Sequence, residues 1–308
     1  MAIIGIVTDF GNRGMHYVAE MKGVALQINP DLQIVDIIHS ITPFSIIEAA
    51  YVLYITYSTF PKNTIFVCVV DPGVGSERDI VAIQTIDNYI LIGPDNGIFS
   101  YFSKNNLISF ITTVTESEFF YKPYSDTIKL VNEHNSMSNE IFFGENQHFD
   151  KSPEPNLEMI NPISSTFHGR DIMIPVASHL SCGLDIFSIG EPKEDVVSLP
   201  NFEPEYSEKE MIIKGMIQYV DDFGNLITNI PNDEFHYLTH KKFTKFQLNI
   251  RNTSNEAITA PYFAENPPEK ILVIEGSSSF LEICQNQRKA VDTLNAKVGD
   301  PFQIKFLE

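Results

Sequence analysis

Along the first third of the chain, short unbroken apolar runs take turns with stretches in which apolar positions recur every three or four residues. Unbroken runs suit strands covered on both faces, and the wider spacing suits amphipathic helices. Ile3 to Val7 is a first buried strand, and Val18, Met21, Val24, Ala25 and Ile28 mark one face of a helix that begins near Tyr17. Asn29-Pro30-Asp31 stops that helix before a second strand at Gln33 to Ile38, completing a βαβ unit. Ser45 and Glu48 are spaced as a capping box and open a helix whose apolar face includes Ile47, Ala50, Tyr54 and Tyr57. Ile65 to Val70 is the central strand. Ile80 to Thr85 and Tyr89 to Ile92 form a hairpin about Asp87-Asn88, and Ile98 to Phe102 make a short helical turn. This alternation predicts an α/β fold built on a doubly wound, mainly parallel sheet with right-handed crossovers.

Between Glu116 and Asn161 the periodicity gives way to Asn, Glu, Ser and Pro, and the stretch at about 119–161 is read as an insertion. Order returns at Ser164 to Asp171, after which Ile174, Val176, Ala177 and Leu180 mark a helix ending at Gly183. Residues 191–207 suit a linker between an N-terminal domain, 1–190, and a C-terminal one, 208–308. In the latter, Met211 to Val220, Leu226 to Ile230, Phe243 to Ile250, Ile271 to Ile274, Phe280 to Cys284 and Phe302 to Phe306 are strand-like, with one helical stretch near Ala290 to Leu294. A smaller antiparallel β-barrel or sandwich follows from that pattern.

Composition narrows the partners. With 308 residues, 43% of them hydrophobic, the chain can bury cores for two domains. A formal charge of -19 opposes binding to polyanions, so neither nucleic acid nor an anionic membrane is an expected partner. Cys68, Cys182 and Cys284 are odd in number and far apart, which suits free thiols in a reducing, cytoplasmic setting. The apolar run before Asp9 has no basic lead-in and the apolar stretch Ile46 to Tyr57 carries Glu48, so no secretion signal or membrane span is expected.

The chemistry gathers where strands end. The central strand breaks into Asp71-Pro72-Gly73-Val74-Gly75-Ser76-Glu77-Arg78, where Pro72 biases Asp71 toward an extended backbone and the glycines permit positive φ and close approach. That rim, outside the carboxyl ends of the strands, is where open α/β sheets bind ligands. The plainer alternative is that Asp71 and Arg78 only brace a turn. Asp9 sits on the same rim, Asp95 and Asn96 occupy another rim loop, and His168 precedes a helix. In the second half, the loops Asp221 to Asn225 and Gly276 to Ser279 carry acids, an amide and hydroxyls suited to a polar ligand.

Seven blocks, Thr8-Asp9-Phe10-Gly11, Glu20-Met21-Lys22-Gly23, Ile28-Asn29-Pro30, Val70 to Gly75, Gly93-Pro94-Asp95-Asn96-Gly97, Thr166 to Asp171 and Asp221 to Asn229, lie in one order. Together they resemble the S-adenosyl-L-methionine hydroxide adenosyltransferase family, relatives of the fluorinase and chlorinase that attack the same molecule with halide. The resemblance covers most of the chain. It implies a homotrimer that binds S-adenosyl-L-methionine between the N-terminal domain of one subunit and the C-terminal domain of its neighbour. It also implies that Asp9 holds the ribose hydroxyls, Phe44 sets a ring against the nucleoside, Asn225 contacts adenine, and Asp221 and Ser277 hold the methionine ammonium and carboxylate. Asp95 and Asn96 join the substrate-binding candidates. Phe44 has the alternative of filling the core, and Ser278 stands where the fluorinase has an Arg. Asp71, Arg78 and His168 match a catalytic triad that holds and polarises one water. Asp71 stands where halogenases have a Tyr, and Gly169 where the fluorinase has a halide-binding Ser. A carboxylate repels halide, so halogenation is disfavoured.

The expected activity is therefore hydrolysis of S-adenosyl-L-methionine to adenosine and L-methionine at the 5′-carbon, with no metal or redox cofactor. A non-catalytic adenosine or S-adenosylmethionine sensor on the same fold is the alternative, and an intact triad speaks against it. A metal-dependent hydrolase built on Asp9, Asp71, Asp95 and His168 lacks a dense ligand motif, and His134 and His148 are too far apart to supply one.

Overall fold

The computed structural model describes residues 2–122, 163–200, 202–239, 243–260, 262 and 266–307. Of the 119–161 insertion only 119–122 is described; the rest, with His134 and His148, lies outside these residues. By its contacts the chain divides into two compact units, one of Met1–Phe44, Pro61–Asp95 and Leu107–Asp195, the other of Ser45–Phe60, Asn96–Asn106 and Val196–Glu308.

The first unit is built on a six-stranded sheet. Strand β1 (Ile3–Thr8) lies between β2 (Gln33–Ile38) and β3 (Ile65–Val69), parallel to both. Strand β5 (Ile90–Pro94) runs parallel on β3, and β4 (Ile80–Thr85) is antiparallel between β5 and β6 (Ile108–Thr113). The mainly parallel sheet is as expected, hairpin included. Ile4, Ile6, Val67 and Ile92 share a core with Met21 and Val24 of helix α1 (Met15–Ile28) and with Val176 and Ala177 of Ile174–Ser181. Each large apolar side chain buried there contributes about 1.5–3 kcal/mol. Residues 189–193 run along β6, where Thr113 N–H donates to the Glu191 carbonyl at 2.8 Å and Lys193 N–H to that of Ile111 at 3.0 Å.

The helix α2 (Ile46–Tyr57) belongs by its contacts to the second unit, where the Tyr51 ring lies 5.4 Å from Tyr219. The expected capping box does not form: Ser45 makes no side-chain cap bond, and its carbonyl accepts the Ala49 N–H at 3.2 Å. Glu48 is instead buried near Tyr219, whose phenol is pushed up by burial and then by that carboxylate.

The second unit closes a barrel of seven strands, from β8 (Ile212–Val220) and β9 (Leu226–Pro231) through β13 (Phe280–Gln285), β12 (Ile271–Glu275), β11 (Thr253–Thr259) and β10 (Lys245–Ile250) to β14 (Pro301–Leu307), which pairs back with β8. Strand β7 (Glu205–Ser207) hangs outside on β8. Every barrel pair is antiparallel except β11 with β12. Cys68 and Cys284 are buried and Cys182 exposed, all as free thiols. Among the described residues no helix is long and apolar enough to cross a membrane.

Candidate active site

Strand β3 is buried at every residue and ends with Val69 in register with Thr8 of β1. Parallel pairing therefore delivers Asp9 and Asp71 to the same end of the sheet. Beyond the strand, Val74 N–H donates to the Asp71 carbonyl at 3.3 Å, and Ser76 donates its N–H and its hydroxyl to that of Gly73 at 3.0 and 2.6 Å. These linked turns bring Arg78 back onto Asp71. Arg78 Nε donates to Asp71 Oδ1 at 2.7 Å and Nη2 to Oδ2, a two-pronged pair, and Gly73 N–H donates to Oδ1 at 3.2 Å. The Arg78 and Asp71 side chains are 11% and 6% exposed.

His168 joins them from far along the chain because two glycines let two loops touch. At Gly75, with φ 80°, a Cβ would stand 2.4 Å from the Ser165 carbonyl oxygen; at Gly169 it would stand 2.9 Å from Val69 Cγ1. Arg78 Nη2 then reaches His168 Nδ1 at 3.2 Å. A guanidinium only donates, so Nδ1 is the acceptor and the neutral ring carries its proton on Nε2. Burial, and next the Arg78 charge, push the imidazole below its usual range, against smaller opposite pulls from Asp71 and Asp171.

A pH dependence follows from this geometry. The folded value lies below the unfolded one, so the unfolded chain binds more protons, and the stability tied to the neutral ring is lost as pH falls. Protonation also removes the acceptor for Arg78. We expect the acid limb of kcat/KM, which reports the ligand-free protein, to lie below the ordinary imidazole value of about 6.5. A profile of kcat/KM against pH checks this, and an acid limb at or above that value contradicts the assignment.

Asp71 and His168 line a cavity of about 290 Å³ together with Asp9, Phe44 and apolar side chains that include Val69 and Val74. Phe44 N–H donates to Asp9 Oδ2 at 2.8 Å. Burial pushes the Asp9 carboxyl up, with the Asp71 charge adding to it and the Phe44 bond opposing it. Phe44 has a left-handed backbone, φ 69°, uncommon for a bulky residue, and is 69% exposed, so it does not fill the core. Not foreseen from the sequence is the aromatic wall in which Phe10, Tyr17 and Phe167 meet edge to face with ring centres 5.2–5.9 Å apart. Its one signal there is that Phe10 and Phe167 adjoin Asp9 and His168.

Asp95 and Asn96 do not line this cavity. Asp95 is buried and pairs with Lys193 at 2.7 Å, while Asn96 Oδ1 accepts the Ile98 N–H at 3.3 Å in a local turn. On the second unit, Asp221 accepts the Asn225 N–H and Nδ2, each at 2.8 Å, so Asn225 presents Oδ1 as its remaining acceptor. Asn225 lines a cavity of about 580 Å³ with Phe223, which is 78% exposed and was not singled out from sequence. Ser277 is exposed in the turn before β13. Among the described residues no three or more His, Cys, Asp or Glu side chains group to hold a metal ion.

A parallel sheet with an acid, an Arg and a His joined at its carboxyl end, followed by a β-barrel, is the framework of an enzyme for small substrates. The chain belongs to the SAM hydroxide adenosyltransferase family, whose N-terminal domain matches residues 4–133 and whose C-terminal domain matches residues 215–303. It is 32% identical to the (R)-S-adenosyl-L-methionine hydrolase of Methanocaldococcus jannaschii, over 99% of this chain and 96% of the relative. The fluorinase of Nocardia brasiliensis is more distant, 23% identical over 98% of this chain and 96% of its own. A crystal structure of an uncharacterized conserved protein from Thermotoga maritima superposes with a TM-score of 0.78 at 31% identity, covering 98% of this chain and 99% of that one.

Proposed function

We propose that the chain hydrolyses S-adenosyl-L-methionine to adenosine and L-methionine, with Asp71, Arg78 and His168 holding the attacking water. The observation that carries this reading is the hydrogen-bonded Asp71-Arg78-His168 network at the wall of a cavity that also contains Asp9 and Phe44. The water oxygen forms a bond to the 5′-carbon as the carbon–sulfur bond breaks, and the electron pair of that bond stays on sulfur as the neutral thioether of methionine. One water proton is released through Asp71. Sulfur already leaves well, so the protein's work is to align the nucleophile and exclude competitors. Asp9 offers a carboxylate to the ribose hydroxyls, and the exposed Phe44 ring offers a face to the nucleoside. On the second unit Asn225 Oδ1 suits the exocyclic amine of adenine, with Asp221 and Ser277 toward the amino-acid tail. The names of the hydrolase relatives support the same substrate. A halide would meet the Asp71 carboxylate in this cavity, which favours water over halide.

We further propose a cytoplasmic homotrimer whose sites each take Asp9 and Asp71 from one subunit and Asp221 and Asn225 from a neighbour. Chromatography of S-adenosylmethionine incubated with the pure protein is expected to give adenosine and methionine in equal amounts; no consumption, or 5′-halogenated adenosine in their place, overturns the reading. Mixing inactive Asp71→Ala and Asn225→Ala subunits is expected to restore part of the activity after subunit exchange. Its absence after verified exchange counts against shared sites.

A further inference from the structure

The turn that carries His168 is itself held by a buried acid. Asp171 is 0% exposed; its Oδ1 accepts Arg170 Nε at 2.6 Å, and its Oδ2 accepts the Ser164 N–H at 2.7 Å. Its backbone carbonyl accepts the Tyr121 N–H at 2.9 Å, so the two described flanks of the insertion close on this one residue. Arg170 extends the brace outward, donating Nη1 to Glu20 Oε2 of α1 at 2.7 Å and lying over the Phe167 ring at 5.0 Å. His168 is thus bracketed by Phe167 under the guanidinium and by the π-helical turn Gly169–Met173 that contains Asp171.

Burying a carboxylate is costly until its partners offset the lost hydration, and an apolar side chain of similar volume fills the same space without that cost. What the carboxylate adds is direction, through two fixed acceptors. Single π-helical turns, moreover, are rare and concentrate at functional sites. His168 must also present Nδ1 to Arg78 at 3.2 Å, a geometry that a small rotation of the turn destroys.

We propose that Asp171, anchored through Arg170 to Glu20, is a positioning residue that fixes the His168 ring against Arg78. This rests on the reading of Asp71, Arg78 and His168 as the network that holds water. Asp171 does not line the cavity and acts only through His168.

A double-mutant cycle tests it. Asp171→Asn is expected to lower kcat by up to about 10²-fold, the cost of misplacing a catalytic group by about 1 Å, with KM for S-adenosylmethionine nearly unchanged. In a His168→Ala background the same substitution is expected to cost nothing further, because the group it positions is gone. Glu20→Gln removes the solvent-facing anchor without endangering the fold and is expected to give a smaller loss of the same kind. Wild-type kcat in both Asp171→Asn and Glu20→Gln overturns the proposal. So does an undiminished loss in the His168→Ala background, which marks a general structural role. Near-normal turnover by His168→Ala alone overturns the water-network reading itself, and with it this assignment, before Asp171 is touched.

Discussion

Asp71→Asn is expected to lower kcat by about 10²- to 10⁴-fold while leaving the affinity for S-adenosylmethionine close to normal. The amide keeps the shape of the carboxylate but places an N–H donor where one prong of Arg78 now donates, so one of the bonds joining Arg78 to Asp71 turns into a donor–donor contact. The water loses its proton acceptor at the same time. Free water is far too weak an acid to hand its proton outright to a carboxylate before attack. The contribution is therefore orientation, with the proton accepted as the carbon–oxygen bond forms. Binding rests on other groups in the proposed site, Asp9, Phe44 and Asn225. Steady-state kinetics of Asp71→Asn beside a calorimetric titration decide the matter. Near-normal kcat excludes Asp71 as the partner of water, and abolished binding with unchanged kcat makes it a substrate-positioning group.

The central strands of the first unit were legible because they are buried along nearly their whole length. Strand β3 has no polar interruption and β1 almost none, and runs of that kind leave little room for another reading. Strand β6, Ile-Ser-Phe-Ile-Thr-Thr, was not predicted: it lies at the sheet edge, where β4 and residues 189–193 supply the hydrogen bonds that a weak apolar pattern does not announce. Strand β11, Thr-Ser-Asn-Glu-Ala-Ile-Thr, was hidden for the same reason. It is polar outside and is held by β10 on one side and β12 on the other, and Ala257 is its one buried residue. The short helix Asn232–Thr239 buries Phe235 alone among large apolar side chains, too little for a periodicity to show.

The site divides along a similar line. Residue type and place at strand ends pointed to Asp9, Asp71 and Arg78, since open α/β sheets bind ligands outside the carboxyl ends of their strands. Partners contributed by distant segments could not be read. Lys193 takes up Asp95, which in sequence is as good a rim acid as Asp9. The spacing of Ser45 and Glu48 fits the capping rule, yet Ser45 makes no side-chain cap bond and Glu48 is buried within the second unit. The resemblance placed His168 with Asp71 and Arg78, yet nothing in the sequence shows the contact that makes this possible, a glycine with no side chain lying against a backbone carbonyl ninety residues away.

That contact yields a second large effect. Gly75→Ala is expected to lower kcat by about 10²-fold and to destabilise the fold by about 1–3 kcal/mol. The new Cβ stands 2.4 Å from the Ser165 carbonyl oxygen, a backbone atom that cannot swing aside as a side chain would, and the residue keeps φ 80°, where an L side chain adds about 1–2 kcal/mol of its own. The loop from Asp71 to Arg78 must then lift away from the segment that leads into His168, lengthening the 3.2 Å bond between Arg78 and His168. Gly23→Ala supplies the opposite case within the same unit: it lies in α1 with nothing within 4 Å of the added Cβ, and alanine there is expected to stabilise by about 0.8–1 kcal/mol with kcat unchanged. Denaturant unfolding and kcat measured for both variants separate the local from the general. Wild-type turnover by a folded Gly75→Ala would show that the two loops need not touch for catalysis, and an equal loss in Gly23→Ala would remove the significance of the contact.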